Sequence, residues 1–172
     1  MIGKKVQDAF NAQIGEELAS AYLYLAMAGY FEASGLGGMS HWMRAQAIEE
    51  MLHAMRFFDH IVARSGRVAL PALQRPQPEW SSPLEAFKAA YAHEQYITGR
   101  INQLVDLTIA EKDHAGGAML QWFVAEQVEE EESTLKIVDT LGRIGDSGQG
   151  LVMLDRELAA RPMPVTLPVT AE

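Results

Sequence analysis

The sequence predicts an all-α protein, a four-helix bundle with one long crossover connection and a short fifth helix near its C-terminus. Apolar residues recur in steps of three and four along four long stretches, and glycine- or proline-rich breaks separate those stretches. One of the breaks is far too long for a turn. The 172 residues suffice for one substantial core and fall short of the length at which chains usually divide.

The first helix is expected from about Val6 to Phe31, with Phe10, Ile14, Glu17, Ala21, Tyr24 and Ala28 on one stripe. Glu17 is the anomaly there, whereas its neighbour Glu16 falls off the stripe as an ordinary solvated acid. Ser34-Gly35-Leu36-Gly37-Gly38 stops the helix, and so short a link makes the next helix an antiparallel neighbour. The second helix, from about Met39 to Arg64, carries the stripe Met43, Gln46, Glu50, His53, Phe57 and Ile61. Between Gly66 and Ser82 the periodicity lapses and prolines accumulate. Some 16 extended residues span about 50 Å, more than the roughly 39 Å length of a 26-residue helix, so this segment can travel the whole bundle and start the third helix from the opposite end. Ser82-Pro83-Leu84-Glu85 supplies a serine cap, a proline at the first helical position and a glutamate at the third.

The third stripe is Phe87, Tyr91, Glu94, Thr98, Ile101 and Val105. Lys112 to Gly117 form the next break. The fourth helix is expected from about Ala118 to Leu141, with Leu120, Phe123, Gln127, Glu130, Thr134, Ile137 and Leu141 facing inward, and Gly145 to Gly150 end it. Leu151, Leu154 and Leu158 share one face of the short fifth helix. The domain therefore takes in residues 1–160, and residues 161–172, with three prolines, form a flexible tail.

Composition narrows the chemistry. There are no cysteines, which excludes disulfides, thiolate zinc sites, cysteine nucleophiles and cysteine-held iron-sulfur clusters. The N-terminus lacks a signal-like apolar run and no stretch reaches a membrane span, so a cytoplasmic protein is expected. A formal net charge of -9 argues against nucleic acid or anionic membrane as partner and suits the attraction of cations, although solubility alone accounts for acidity of this size.

The residues that carry chemistry are the polar ones inside the apolar stripes. Glu50 and His53, three apart on one helical face, form a carboxylate-imidazole pair suited to iron, manganese or zinc. Alone, such a pair is as readily two solvated side chains. Yet each long helix carries a metal-competent residue near its midpoint: Glu17, Glu50 with His53, Glu94, and Gln127 with Glu130. Antiparallel helices of similar length bring midpoints to one level, where converging unpaired acids would be prohibitive without protons or cations. A hydrogen-bonded layer that only fixes register explains any one of these residues well and the full set poorly. The set suits two divalent ions sharing a bridging carboxylate, with Glu50 between His53 and Glu94 as the bridge. Glu129-Glu130-Glu131-Glu132 resembles a solvated face, but Glu126, Glu129 and Glu130 lie at i, i+3 and i+4, and Glu49 adjoins Glu50, an arrangement that can form an added cation site. Tyr24, one heptad from Glu17, is either a core aromatic or a redox partner, and Trp122 is a core aromatic.

These residues, Glu17 with Tyr24, Glu49-Glu50-Met51-Leu52-His53, Glu94, and Gln127-Val128-Glu129-Glu130 after Trp122, resemble those of the prokaryotic non-haem ferritins, over nearly the whole chain to about Leu158. The resemblance implies a ferritin-like bundle. It implies a ferroxidase centre of Glu17, Glu50, His53, Glu94, Gln127 and Glu130, and a third iron site of Glu49, Glu126 and Glu129 with Glu130 shared. It also implies iron(II) oxidation by oxygen or hydrogen peroxide, and storage of the ferric mineral in a homo-oligomeric cage of twenty-four subunits with the fifth helix at a symmetry-axis pore. Bacterioferritin carries Glu-x-x-His in its fourth helix too, which this chain lacks. Met51 falls at bacterioferritin's haem methionine, but haem-free ferritins also have methionine there, and haem is not expected. Rubrerythrin's electron-transfer domain needs cysteines. The acids of the animal three-fold pore would fall near Gly117 and Leu120, which are uncharged. The competing functional class is an oxygen- or peroxide-activating di-iron enzyme without a cage.

Overall fold

The computed structural model describes residues 1–164, and the part of the expected tail from residue 165 onward lies outside the described residues. Five helices run in chain order: α1 (Lys4–Ala33), α2 (Gly37–Ala63), α3 (Pro83–Ala110), α4 (His114–Ile144) and α5 (Gly148–Leu158). There are no strands among the described residues. α1 packs chiefly on α2 and α3 on α4, so two hairpins face each other to form the bundle. The Ser82 hydroxyl accepts the Glu85 N–H at 3.2 Å and Pro83 opens α3, as the sequence of that start dictates.

The crossover between α2 and α3 is strapped along α1 by three residues one turn apart. Gln7 Oε1 accepts the Arg67 N–H at 2.9 Å; Asn11 accepts the Ala69 N–H at 2.9 Å and donates to the Arg67 carbonyl at 3.0 Å. At Gly15 a Cβ would meet Pro71 Cγ at 2.3 Å. Further along, Trp80 stands edge-on to Tyr30 with ring centroids 5.5 Å apart. The segment thus travels from the first turns of α1 to its last and starts α3 at the far end of the bundle, as the length argument expects.

Helix boundaries lie a few residues from the sequence expectation, most of all at the start of α4. α4 begins at His114, before the expected Ala118, and contains Gly116 and Gly117 in its first turn. The reason is a cap: the Asp113 carboxylate accepts the Gly116 N–H at 3.1 Å and pairs with Arg64 Nη1 at 2.7 Å, tying the end of α2 to the start of α4. α2 likewise begins at Gly37, and Gly38 lies directly beneath α5, where a Cβ would stand 1.7 Å from the Asp155 carbonyl oxygen. No rotamer change relieves a clash with backbone. Gly38→Ala is therefore expected to lower stability by about 1–3 kcal/mol, whereas Gly29→Ala, in open space on α1, should raise it by roughly 0.5–1 kcal/mol through helix propensity. Thermal midpoints of the two variants measured side by side check this, and equal midpoints would mean that α5 does not press on Gly38.

The core is divided into two apolar clusters. One, around Tyr24, Phe31, Met43, Trp42 and Phe87, includes Leu154 and Leu158 of α5, which close that end of the bundle. The other gathers Phe10, Ile14, Phe57, Ile61, Ile101, Leu120 and Phe123 at the opposite end, with Phe57 stacked on Phe123 at 4.4 Å. Leu120 is fully buried in this second cluster, and Gly117 is half-buried.

Candidate metal centre

Between the two clusters lies a layer of buried polar side chains. It comprises Gln13, Glu17, Ser20, Gln46, Glu50, His53, Glu94, Gln127, Glu130 and Thr134. Every one of the long helices contributes to it from near its midpoint, because each apolar stripe is interrupted there by an acid or amide.

Glu17, Glu50 and His53 converge, each offering a ligand atom within 4.8 Å of the others. His53, Glu126 and Glu130 form a second such set, so His53 is common to both. The two His53 ring nitrogens divide the work: Nδ1 is 3.4 Å from Glu50 Oε2, and Nε2 is 3.9 Å from Glu126 Oε1. Edge contacts with Trp122 and Phe123, at centroid distances of 5.4 and 5.8 Å, fix the ring between them. Trp122 is therefore half-buried packing for the histidine. Glu94 stands outside both sets. Its carboxylate accepts a hydrogen bond from the Tyr24 hydroxyl and is approached by Gln127 Nε2 at 3.4 Å.

Amides organise the acids. Gln13 Nε2 donates to Glu17 Oε1 at 3.0 Å, and Gln46 Nε2 donates to Glu130 Oε2 at 2.7 Å and to Glu50 Oε1 at 3.2 Å. One Gln46 nitrogen thus links α2 to α4 across the centre. Behind Gln13, Arg100 Nε approaches its Oε1 at 3.4 Å and Arg100 Nη2 lies 3.8 Å from Glu16. Sequence reasoning placed Gln46 on its stripe without a role and missed Gln13. Both stand four residues before the acid they hold, a spacing that was visible in the sequence.

Electrostatically the layer holds more acids than can ionise together. Burial, and after it the charge of Glu50, pushes Glu17 up to about 8. Burial followed by the charge of Glu130 does the same to Glu50, burial followed by Glu50 to Glu94, and burial followed by Glu94 to Glu130, each reaching about 8. Burial, with Glu94 next, holds the Tyr24 phenol well above its ordinary range, so Tyr24 remains a proton donor to Glu94. Among the described residues, Glu17 Oε2 and Gln46 Oε1 are buried oxygens with no hydrogen-bond partner. An orphaned carboxylate oxygen among four acids fits a cation, since lone pairs left unmatched in the interior are costly. Hard oxygens with one imidazole suit divalent iron well.

The remaining candidates lie on the flank of this layer. Glu126 is half-buried and belongs to the second set, and Glu129 is exposed. Glu49 is half-buried; burial raises its carboxyl, while the charge of Arg161, with which it pairs, opposes the rise. Met51 is 46% exposed. Between α3 and α4 a surface pocket of about 350 Å³, lined by Thr98, Ile101, Val128 and Glu131 among others, reaches Gln127 from outside.

Fold and site together define a four-helix-bundle protein with a buried carboxylate-histidine centre suited to divalent metal ions. The family model described as a ferritin-like domain matches residues 7–144. Over 161 residues the chain is 41% identical to the bacterial non-heme ferritin of Bacteroides fragilis, covering 94% of this chain and 100% of that protein. It is 38% identical to that of Staphylococcus saprophyticus, with 94% and 96% covered. Its structure matches the open pore ferritin of the archaeon Archaeoglobus fulgidus with a TM-score of 0.93 at 51% identity, over 94% of this chain and 100% of that one. The chain belongs to the ferritin family, and iron storage is the function that this membership assigns it. Among the described residues no helix is long and apolar enough to cross a membrane.

Proposed function

We propose that the chain is a ferroxidase subunit, which oxidises iron(II) at the buried layer and delivers iron(III) to a mineral held inside a cage of identical subunits. The observation that carries this reading is the buried layer to which all four long helices bring Glu17, Glu50, His53, Glu94, Gln127 and Glu130, with Glu17, Glu50 and His53 each offering a ligand atom within 4.8 Å of the others. Two ions placed there, with Glu50 reaching the space between His53 and Glu94, would each give up one electron to oxygen or hydrogen peroxide. Glu17, Glu50, His53, Glu94, Gln127 and Glu130 are the residues assigned to the centre. Tyr24, hydrogen bonded to Glu94, is assigned a supporting role in electron or proton supply. Haem has no part in this reading.

Chemistry and burial together support the assignment. Four protonated acids exchange four protons for two dications, so the layer stays neutral without any change of fold. The pocket beside Gln127 offers a short approach for small reactants. The cage is taken to contain twenty-four subunits and to reside in the cytoplasm. Light scattering with metal analysis of the purified protein tests this: a hollow particle of many subunits that holds more iron than its binding sites can account for is the expected result. A monomer or dimer at every concentration and salt condition would favour an oxygen-activating enzyme without a cage.

Glu49, Glu126 and Glu129, with Glu130 shared, are proposed as a third iron position on the flank. Glu129→Ala is then expected to change the oxygen consumed per iron while leaving paired iron binding at the centre intact. An oxygen electrode and iron titration give both quantities, and an unchanged ratio would return these acids to a solvated face.

A further inference from the structure

The end of α5 is fixed against the first turn of α2. Asp155 Oδ1 accepts the Met39 N–H at 2.8 Å, and the Asp155 carbonyl sits over Gly38. Three residues beyond α5 the chain returns to α2 with Arg161. Its carbonyl is 2.8 Å from His41 Nε2, its guanidinium lies 4.4 Å above the Trp42 ring, and its Nη1 is 3.4 Å from the Trp42 carbonyl. Its Nη2 pairs with Glu49 Oε2. The pair is largely shielded, with side-chain exposures of 19% for Arg161 and 27% for Glu49. The arginine is thus held by the Trp42 ring, the Trp42 carbonyl and the Glu49 carboxylate at its guanidinium and by the His41 imidazole at its own carbonyl, which is far more than a surface ion pair has. Glu49 in turn feels the charges of His53 and Glu126, the residues through which the central layer reaches its flank. Glu17, Glu50, Glu94 and Glu130 have no lysine or arginine within ion-pair distance among the described residues.

We infer that Arg161 is a built-in counter-cation for the flank position, holding Glu49 away from a third metal ion until that ion displaces it. This rests on the reading of Glu49 as a ligand of that position. The physical ground is competition: a carboxylate oxygen that accepts from a guanidinium cannot give the same lone pair to a dication, and the two cations repel across one acid. Filling the flank position therefore has to separate a shielded ion pair, a cost that the central positions do not bear. The order of filling follows, centre before flank. Because Arg161 is carried by the segment after α5, an ion at the flank is also felt at the end of the bundle that α5 closes. Arg161 is a positioning residue, acting on metal only through Glu49.

Zinc(II) titration of the metal-free protein by calorimetry reads site filling apart from oxidation. In the parent protein a third binding event per subunit is expected to be weaker than the first two. Arg161→Gln, similar in length but neutral, should tighten that event about tenfold, whereas Arg161→Lys, which keeps the charge, should stay near the parent. Glu49→Gln should weaken it, and in the Arg161→Gln/Glu49→Gln double variant the effect of residue 161 should vanish. If Glu49→Gln weakens the third event while Arg161→Gln leaves it unchanged or weakens it, the counter-cation role is overturned and the flank site stands. If the third event is absent or indifferent to Glu49→Gln, the flank site itself is overturned and the inference with it.

Discussion

Glu50→Ala is expected to abolish fast iron(II) oxidation, a loss of at least about 100-fold, while the bundle and its assembly survive. Among the described residues Glu50 is the only carboxylate that is placed mid-helix on α2, faces His53 Nδ1 at 3.4 Å and couples by charge to both Glu17 and Glu94. On the proposed reading it touches both metal positions, so its loss disables both. The fold should tolerate the change because Glu50 is a buried carboxyl whose ionised form burial and then the charge of Glu130 disfavour, and lifting that desolvation cost offsets the small void. His53→Ala should weaken the position it shares with Glu17, and Glu94→Ala mainly the other one. Stopped-flow absorbance of the ferric product gives the rates, and anaerobic iron titration gives the sites lost. A Glu50→Ala protein that oxidises iron at the parental rate would remove this layer from the reaction altogether.

The second large effect concerns pH, and its sign is the reverse of ordinary acid denaturation. Glu17, Glu50, Glu94 and Glu130 are each pushed up to about 8 when folded, against an ordinary 4.5. Between those values the folded chain binds more protons than the unfolded one, so stability falls as pH rises. The contribution of these groups is complete below about 4.5 and is lost by about 8. Asp113 acts oppositely: burial tends to raise it, but the Arg64 hydrogen bond and charge and the Gly116 N–H outweigh burial and lower it. Its share of stability is present above its ordinary 3.8 and disappears only as pH falls through its lowered value. The metal-free protein is therefore expected to melt at a lower temperature at about pH 8.5 than at about pH 6, and zinc(II) should erase the difference by taking the place of the protons. Proton release on zinc binding, read by calorimetry in buffers of different ionisation enthalpy, should be positive near pH 7. A melting temperature that is flat over this range, with no proton release, would show that the four acids are already ionised and compensated.

The long helices were legible because helical periodicity records which face a residue buries, whatever it is buried against. Glu17, Glu50, His53, Glu94, Gln127 and Glu130 stood out for the same reason: an acid or amide in an apolar stripe is a local contradiction, and all six are buried in the central layer. The helix starts were less legible. Ser82 announced α3 through its own local pattern, but Asp113 works as a cap at α4 while joined to Arg64, 49 residues away, and the glycines after it resembled a break.

What the sequence determined by itself was therefore the number of long helices, the need for a crossover and the residues that must share a buried polar layer, since spacing along one helix settles each of these. Only the tertiary structure decided how those residues pair: that His53 serves two ligand sets, that Glu94 is claimed by Tyr24 and Gln127, that Gln46 bridges α2 to α4, and that Arg161 comes back to Glu49. Pairing between elements depends on how α5 seats on Gly38 and how the crossover lies along Gln7, Asn11 and Gly15. Those contacts join residues 60 apart at Gln7 and Arg67 and 112 apart at Glu49 and Arg161, and no period within a single helix carries information over such distances.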